Sequence, residues 1–152
     1  MPTPPPTTTT EALALLDRLA QAGPGTVTLA GPLTLGQALA HVAQGVRCSL
    51  DGYPQHKPRW FQATLGRLVL RRFLRAGRMG HDLGAPIPGL PPPSPDTDPT
   101  AALAELRAAL LAFQGHAGPC APHFAYGPVT HGEYDRLHAM HLVDHLRGWQ
   151  GT

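Results

Sequence analysis

The stretch Thr130-His-Gly-Glu133-Tyr-Asp-Arg-Leu-His138-Ala-Met-His141-Leu-Val-Asp144-His145-Leu-Arg147 decides the fold of this chain. Thr130 and Glu133 have the spacing of a capping box, in which the threonine hydroxyl takes an early backbone N–H and the glutamate reaches back. Behind the box, Tyr134, Leu137 and Leu142 recur on one stripe of a 3.6-residue period, so the segment is a helix turned towards a packed interior. The same stripe carries histidines. His141 and His145 are one turn apart and face the same way, with His138 close beside them. Neutral imidazoles one turn apart on an inward face offer two ligands to Zn, Ni or Fe. A third ligand has to come from elsewhere in the chain, and His41 is the first candidate. His138 is the alternative on the same helix. It lies seven residues from His145, about 10.5 Å of rise, too far for both to reach one ion. His141 is common to either pair.

Working backwards, Asp98-Pro99 has the form of an N-cap followed by proline at the first helical position. Leu103, Leu106, Leu110 and Phe113 make the stripe of the helix that follows, which breaks between Gly115 and Pro122 before the loop His123–Val129. Residues 80–98 are too rich in proline for a helix and read as a long surface crossover. A helix is expected from about Pro58 to Arg78, and another from about Thr34 to Leu50. The latter has Leu35, Leu39, Val42 and Val46 as its apolar stripe and Asp51-Gly52-Tyr53-Pro54 as its end. His41 lies at the border of that stripe, between the small residues Ala38 and Gly45, which leave room for a cavity. Thr8 and Glu11 open a first helix with Leu13, Leu16 and Leu19, stopped at Gly23-Pro24-Gly25. Thr26–Leu33 reads as a short extended piece, and residues 1–9, with nothing to bury, as disordered. No stretch alternates long enough to build a sheet. Residues 10–150 are therefore expected to form one all-α domain, a mostly antiparallel four-helix bundle with one extra inserted helix.

Composition narrows the function classes. Twelve Lys and Arg against ten Asp and Glu is too even a balance to demand a polyanionic partner. Cys48 and Cys120 lie far apart and read as reduced thiols without a site role. No apolar run approaches the ~20 residues that span a bilayer. The start, Met-Pro-Thr-Pro-Pro-Pro-Thr, lacks the basic and apolar regions of a signal peptide, so a cytoplasmic protein without membrane contact is expected. Seven of the twelve positive charges fall on Lys57, Arg59, Arg67, Arg71, Arg72, Arg75 and Arg78. Arg67, Arg71, Arg75 and Arg78 share one helix face. That face reads as solvated charge paired with acids elsewhere, and nucleic-acid binding is a minority reading, because aromatic interleaving is poor. His56, His81, His116, His123 and His131 sit in loops or at helix ends and receive no role.

The order of these features resembles a known superfamily. The second-helix motif Leu39-Ala-His41-Val-Ala, the proline-rich crossover and a terminal His-x-x-x-His-x-Arg are similar to the DinB/YfiT-like metal-binding four-helix bundles. Ser49-Leu-Asp-Gly-Tyr-Pro54, Lys57-Pro-Arg-Trp-Phe61, Arg71-Arg-Phe-Leu74, Ala85-Pro-Ile-Pro-Gly89 and Pro122-His-Phe-Ala-Tyr-Gly127 resemble one branch known only as a domain of unknown function. The likeness runs over roughly residues 10 to 150. It implies a divalent metal ion held by His41, His141 and His145, and a homodimer. It also implies a possible activity on low-molecular-weight thiols. The branch often has a histidine directly before the last ligand, and here that position is Asp144. The expectation is that Asp144 points to another face and stands outside the ligand set.

Three classes of function follow. The first is a metal-dependent enzyme, a thiol transferase or hydrolase-like protein, with Tyr134 or His138 available as a proton carrier. The second is a non-enzymatic metal-binding or scaffold protein with a structural or vestigial histidine site. The third is an anionic-partner module using the arginine helix. The surplus of Leu68, Leu70, Phe73 and Leu74 on that helix favours a subunit contact.

Overall fold

The computed structural model describes residues 5–149 and 151. Five helices and a short 3-10 turn, Pro24–Thr26, make up its regular structure, and no strand occurs among the described residues; a single bridge joins His123 and Gly127. Helix α1 is Thr9–Ala22 and α2 is Leu35–Asp51. Helix α3 covers residues 59–76, in three continuous parts: a first turn Arg59–Phe61, a π segment Gln62–Gly66 and an α-helical part Arg67–Ala76. Helix α4 is Pro99–Gly115 and α5 is His131–His145. No helix among the described residues is long and apolar enough to cross a membrane.

Local signals set most of the helix ends. Thr130 and Glu133 form the complete capping box, and Asp98 accepts from Ala101 N ahead of Pro99. A second complete box, Thr34 with Gln37, opens α2. At α1 the box is only half formed. Thr8 accepts from Glu11 N, but the Glu11 carboxylate turns to the backbone and hydroxyl of Thr7 instead of Thr8. Pro58 is the N-cap of α3 and not its first helical residue, and the helix stops at Ala76, short of Arg78. Gly77 takes the left-handed conformation there (φ 66°), its N–H returning to Phe73 O.

Helices α1, α2, α4 and α5 share one core. Leu15, Leu16 and Leu19 of α1 meet Leu39, Val42 and Val46 of α2, Leu106, Leu110 and Phe113 of α4, and Tyr134, Leu137 and Leu142 of α5. Helix α3 packs on α5 and contributes Leu70 to that core. The expected disorder of residues 1–9 does not extend to the last of them. Pro6 and Thr9 are buried, and Thr9 N donates to Asp135 Oδ1 at 3.0 Å. The expectation for residues 1–4 lies outside the described residues.

Residues 80–98 run as irregular chain along α2, tied to it by Gln37 Nε2 to Pro93 O and Gln44 Nε2 to Pro91 O, both at 3.2 Å. The segment is not wholly on the surface. Ile87 is buried against Cys48 and Tyr53, which makes a second, smaller apolar cluster at one side of the bundle. Between the crossover, α2 and α5 the packing leaves a cavity of about 220 Å³.

Candidate metal centre

Two packed helices and one irregular segment bring four imidazoles together. Helix α2 supplies His41, α5 supplies His141 and His145, and the start of the crossover supplies His81. One ring nitrogen from each lies within 4.8 Å of the others. Ring centroids stand 5.1 Å apart for His41–His141, 4.8 Å for His41–His145 and 4.9 Å for His141–His145. His81 is 5.1 Å from His141 and 5.0 Å from His145, and its Nε2 lies 3.2 Å from His145 Nε2. Gly45 borders the cluster: a Cβ there would stand 3.5 Å from His141 Cε1, in ordinary van der Waals contact.

The chemistry of the set suits a cation. Burial first, and then the neighbouring rings, hold the three helix imidazoles neutral. The His41 pKa falls to about 4 and that of His145 to about 3, and His141 is pushed well below the ordinary histidine value. Each neutral ring keeps one nitrogen lone pair free for a cation, and the four rings stand close enough for those lone pairs to meet at one point. Four nitrogens at about 2.0–2.1 Å from a tetrahedral ion would be about 3.3 Å apart. His81 and His145 already meet that separation, and the wider pairs need only small ring movements.

Behind the rings lies a polar support. Asp144 is buried, with Oδ2 2.6 Å from His81 Nδ1 and Oδ1 2.8 Å from Arg147 Nη2. The His81–Asp144 contact is within hydrogen-bonding distance but out of line, and neither atom has another partner. A proton on Nδ1 facing that carboxylate leaves the Nε2 lone pair of His81 towards the other rings, the arrangement by which carboxylates orient ligating histidines. Asp144 is not one of the four converging donors, but its carboxylate meets one of them.

His138 sits apart from the cluster. Ser49 Oγ donates to Val46 O at 2.6 Å, so the 2.9 Å contact with His138 Nε2 is an N–H donation to the serine. The His138 ring stacks on Tyr134 at 5.2 Å, and burial lowers its pKa to about 3. It lines the 220 Å³ cavity with His41, His81 and His141. Tyr134 also lines the cavity, its hydroxyl donating to Ala121 O at 2.8 Å.

Two histidines without a sequence role matter here. His81 belongs to the cluster, and His123 lines the cavity. Nothing local marks His81, because an irregular Gly/Pro segment has no period to place a side chain. His123 stacks on Tyr126 at 4.2 Å, and its Nδ1 accepts from Ala125 N and Tyr126 N at 3.1 and 3.3 Å. His131 stacks on Phe113, and its Nε2 lies 3.0 Å from Phe113 O; His116 closes a turn with Pro119 O. Of the arginine face, Arg67 donates to Pro128 O at 2.6 Å, while Arg71 and Arg75 are exposed.

No curated protein and no solved structure matches this sequence. A family described as protein of unknown function (DUF1569) matches residues 7–151, nearly the whole length. The chain belongs to that family.

Proposed function

We propose that this is a DinB-like metal-binding protein in which His41, His141 and His145 hold a divalent ion, Zn, Ni or Fe, and His81 supplies a fourth nitrogen. The carrying observation is the set of four ring nitrogens within 4.8 Å of one another, two of the rings buried and two partly buried. The bundle of four core helices, with α3 inserted after the second and a proline-rich crossover, supports the superfamily likeness. The four donors are not equivalent. His41, His141 and His145 stand on long helices locked in the core, whereas His81 rides on irregular chain and is the ligand able to leave.

That inequality favours an enzyme over a purely structural site. Structural zinc sites are closed by four protein ligands, while catalytic ones keep a position for water or substrate. The cavity lies beside the cluster and provides the space that such a position needs. A divalent ion there would act as a Lewis acid and lower the pKa of a bound water or thiol. The residues around it exclude water and hold neutral hydrogen-bonding groups in place. The second reading is a non-enzymatic, closed four-histidine site, favoured by the close approach of His81 to His145. A homodimer through α3 is also proposed, on the exposure of Trp60, Leu65 and Leu68 there. Light scattering at micromolar concentration should then give twice the chain mass, and a monomer mass would refute it.

Elemental analysis of protein purified without an affinity tag tests the main reading. It should find about one divalent ion per chain. His141→Ala should abolish binding, and His138→Ala should leave it intact. Metal-free protein that takes up no Zn, Ni or Fe on titration would overturn it.

A further inference from the structure

The cavity beside the cluster has a composition of its own. Tyr53, His123, Phe124, Tyr126 and Tyr134 give it an aromatic wall, and Ile87 and Leu137 add aliphatic surface. The mouth lies at Asp82, Ala85 and Pro86, which are exposed. Apart from histidines, Asp82 is the one ionisable group of formal charge among the lining residues, and it stands on the rim. Two lining histidines outside the cluster, His123 and His138, are neutral by their hydrogen bonds as well as by burial. His123 spends Nδ1 as an acceptor for two backbone N–H groups, so its proton is on Nε2. His138 spends its Nε2–H on Ser49, which leaves Nδ1 as an acceptor. Away from the metal cluster and the rim, the lining thus offers the His123 proton, the His138 Nδ1 acceptor and tyrosine hydroxyls for hydrogen bonding, and no counter-charge.

Size sets the second limit. An apolar cavity of about 150 Å³ holds one benzene. In proportion, the 220 Å³ here holds a molecule of about nine non-hydrogen atoms. A peptide-like thiol with its carboxylates is both too large and too charged to enter entire.

We propose that this chamber is the substrate pocket of the metal centre. It takes an uncharged, largely apolar molecule of about nine non-hydrogen atoms, carrying one hydrogen-bonding group such as a carbonyl or amide. The proposal deepens the metal-binding reading and rests on it, because the ion would meet the polar end of that molecule. A thiol co-substrate, in this arrangement, keeps its charged groups outside the chamber, and the chamber selects the other reactant. Away from the ion no lining group inside the rim carries an opposite charge, so the cost of stripping water from a charge disfavours ionised molecules of the same shape wherever that charge does not reach the metal.

Benzamide, benzoate and benzamidinium form a test set of one size and three charges. Binding is followed by calorimetry and by the methyl resonances of Met79 and Ile87. Benzoate is compared with benzamide in metal-free protein, where it has no ion to ligate. Benzamidinium is compared in zinc-loaded protein, where the cluster nitrogens are engaged. Benzamide should bind at millimolar concentration in both forms and shift both methyls, and each charged analogue should bind at least about tenfold more weakly. Ala85→Trp, at the exposed mouth and clear of the core, should abolish benzamide binding while retaining zinc. No binding of benzamide, equal or tighter binding of either ion, or unchanged binding in the Ala85→Trp protein would overturn the proposal. Benzamide binding in a protein that takes up no metal would sink the metal centre and leave the chamber standing.

Discussion

Asp144 shows how one residue can stand outside a ligand set and still control it. Its carboxylate touches His81 on one side and Arg147 on the other, so it links the crossover to the end of α5. Partners of this kind fix the tautomer and ring orientation of a ligand, and their loss weakens metal affinity about 10–100-fold. Asp144→Asn should therefore lower zinc affinity within that range, measured by competition with a chromophoric chelator. It should leave the helical content unchanged. Affinity equal to wild type would show that His81 takes no part in binding. At this scale the sequence was readable where periodicity operates. His141 and His145 share an inward face, and a small neighbour beside His41 leaves space for rings. His81 was not readable, because its position depends on where an aperiodic segment passes over the bundle. Asp144 was readable only as a face, since the partner that gives it a task is His81.

Among the elements, α3 departs most from its sequence pattern. Its helical character and arginine face follow from spacing, but the π segment Gln62–Gly66 does not. The cause is tertiary. A Cβ on Gly66 would stand 1.9 Å from Ala125 O, so the helix approaches the 123–127 loop more closely than any side chain allows. That loop holds His123, Phe124 and Tyr126, the aromatic wall of the chamber. Gly66→Ala must push helix and loop apart. The expected cost is about 1–3 kcal/mol, the range for overpacked sites, seen as a lowered urea midpoint. Metal binding should survive, because no cluster residue lies on α3 or on that loop. An unchanged midpoint would mean that the close approach is not maintained in solution. Helix starts, by contrast, were legible from short-range chemistry: Thr130 with Glu133 and Asp98 with Pro99 need nothing beyond their own turn.

Across the whole molecule the four histidines act as a clasp. They join α2, α5 and the crossover at one point, while the leucine core joins the helices elsewhere. Without metal, that clasp is a liability in acid. Histidine in the unfolded chain titrates near ~6.5. In the folded protein burial holds His41 at about 4 and His123, His138 and His145 at about 3. Between those limits the unfolded chain binds protons that the folded one refuses. Stability is therefore full above pH ~6.5 and falls as pH drops towards 4, by about 1.4 kcal/mol per pH unit for each such histidine. The same shifts bear on metal binding. The rings of His41, His141 and His145 stay neutral below pH ~6.5, so protons should compete with the ion for these three only below about pH 5. An ion bound by the folded state alone adds about 2.7 kcal/mol when free metal is a hundredfold above its Kd. Zinc-loaded protein should thus melt several degrees higher than chelator-treated protein at pH 7. The gap should persist at pH 6 and close in stronger acid. Identical melting with and without chelator at pH 7 would remove the clasp, and a gap already lost at pH 6 would place the bound ion on exposed histidines instead.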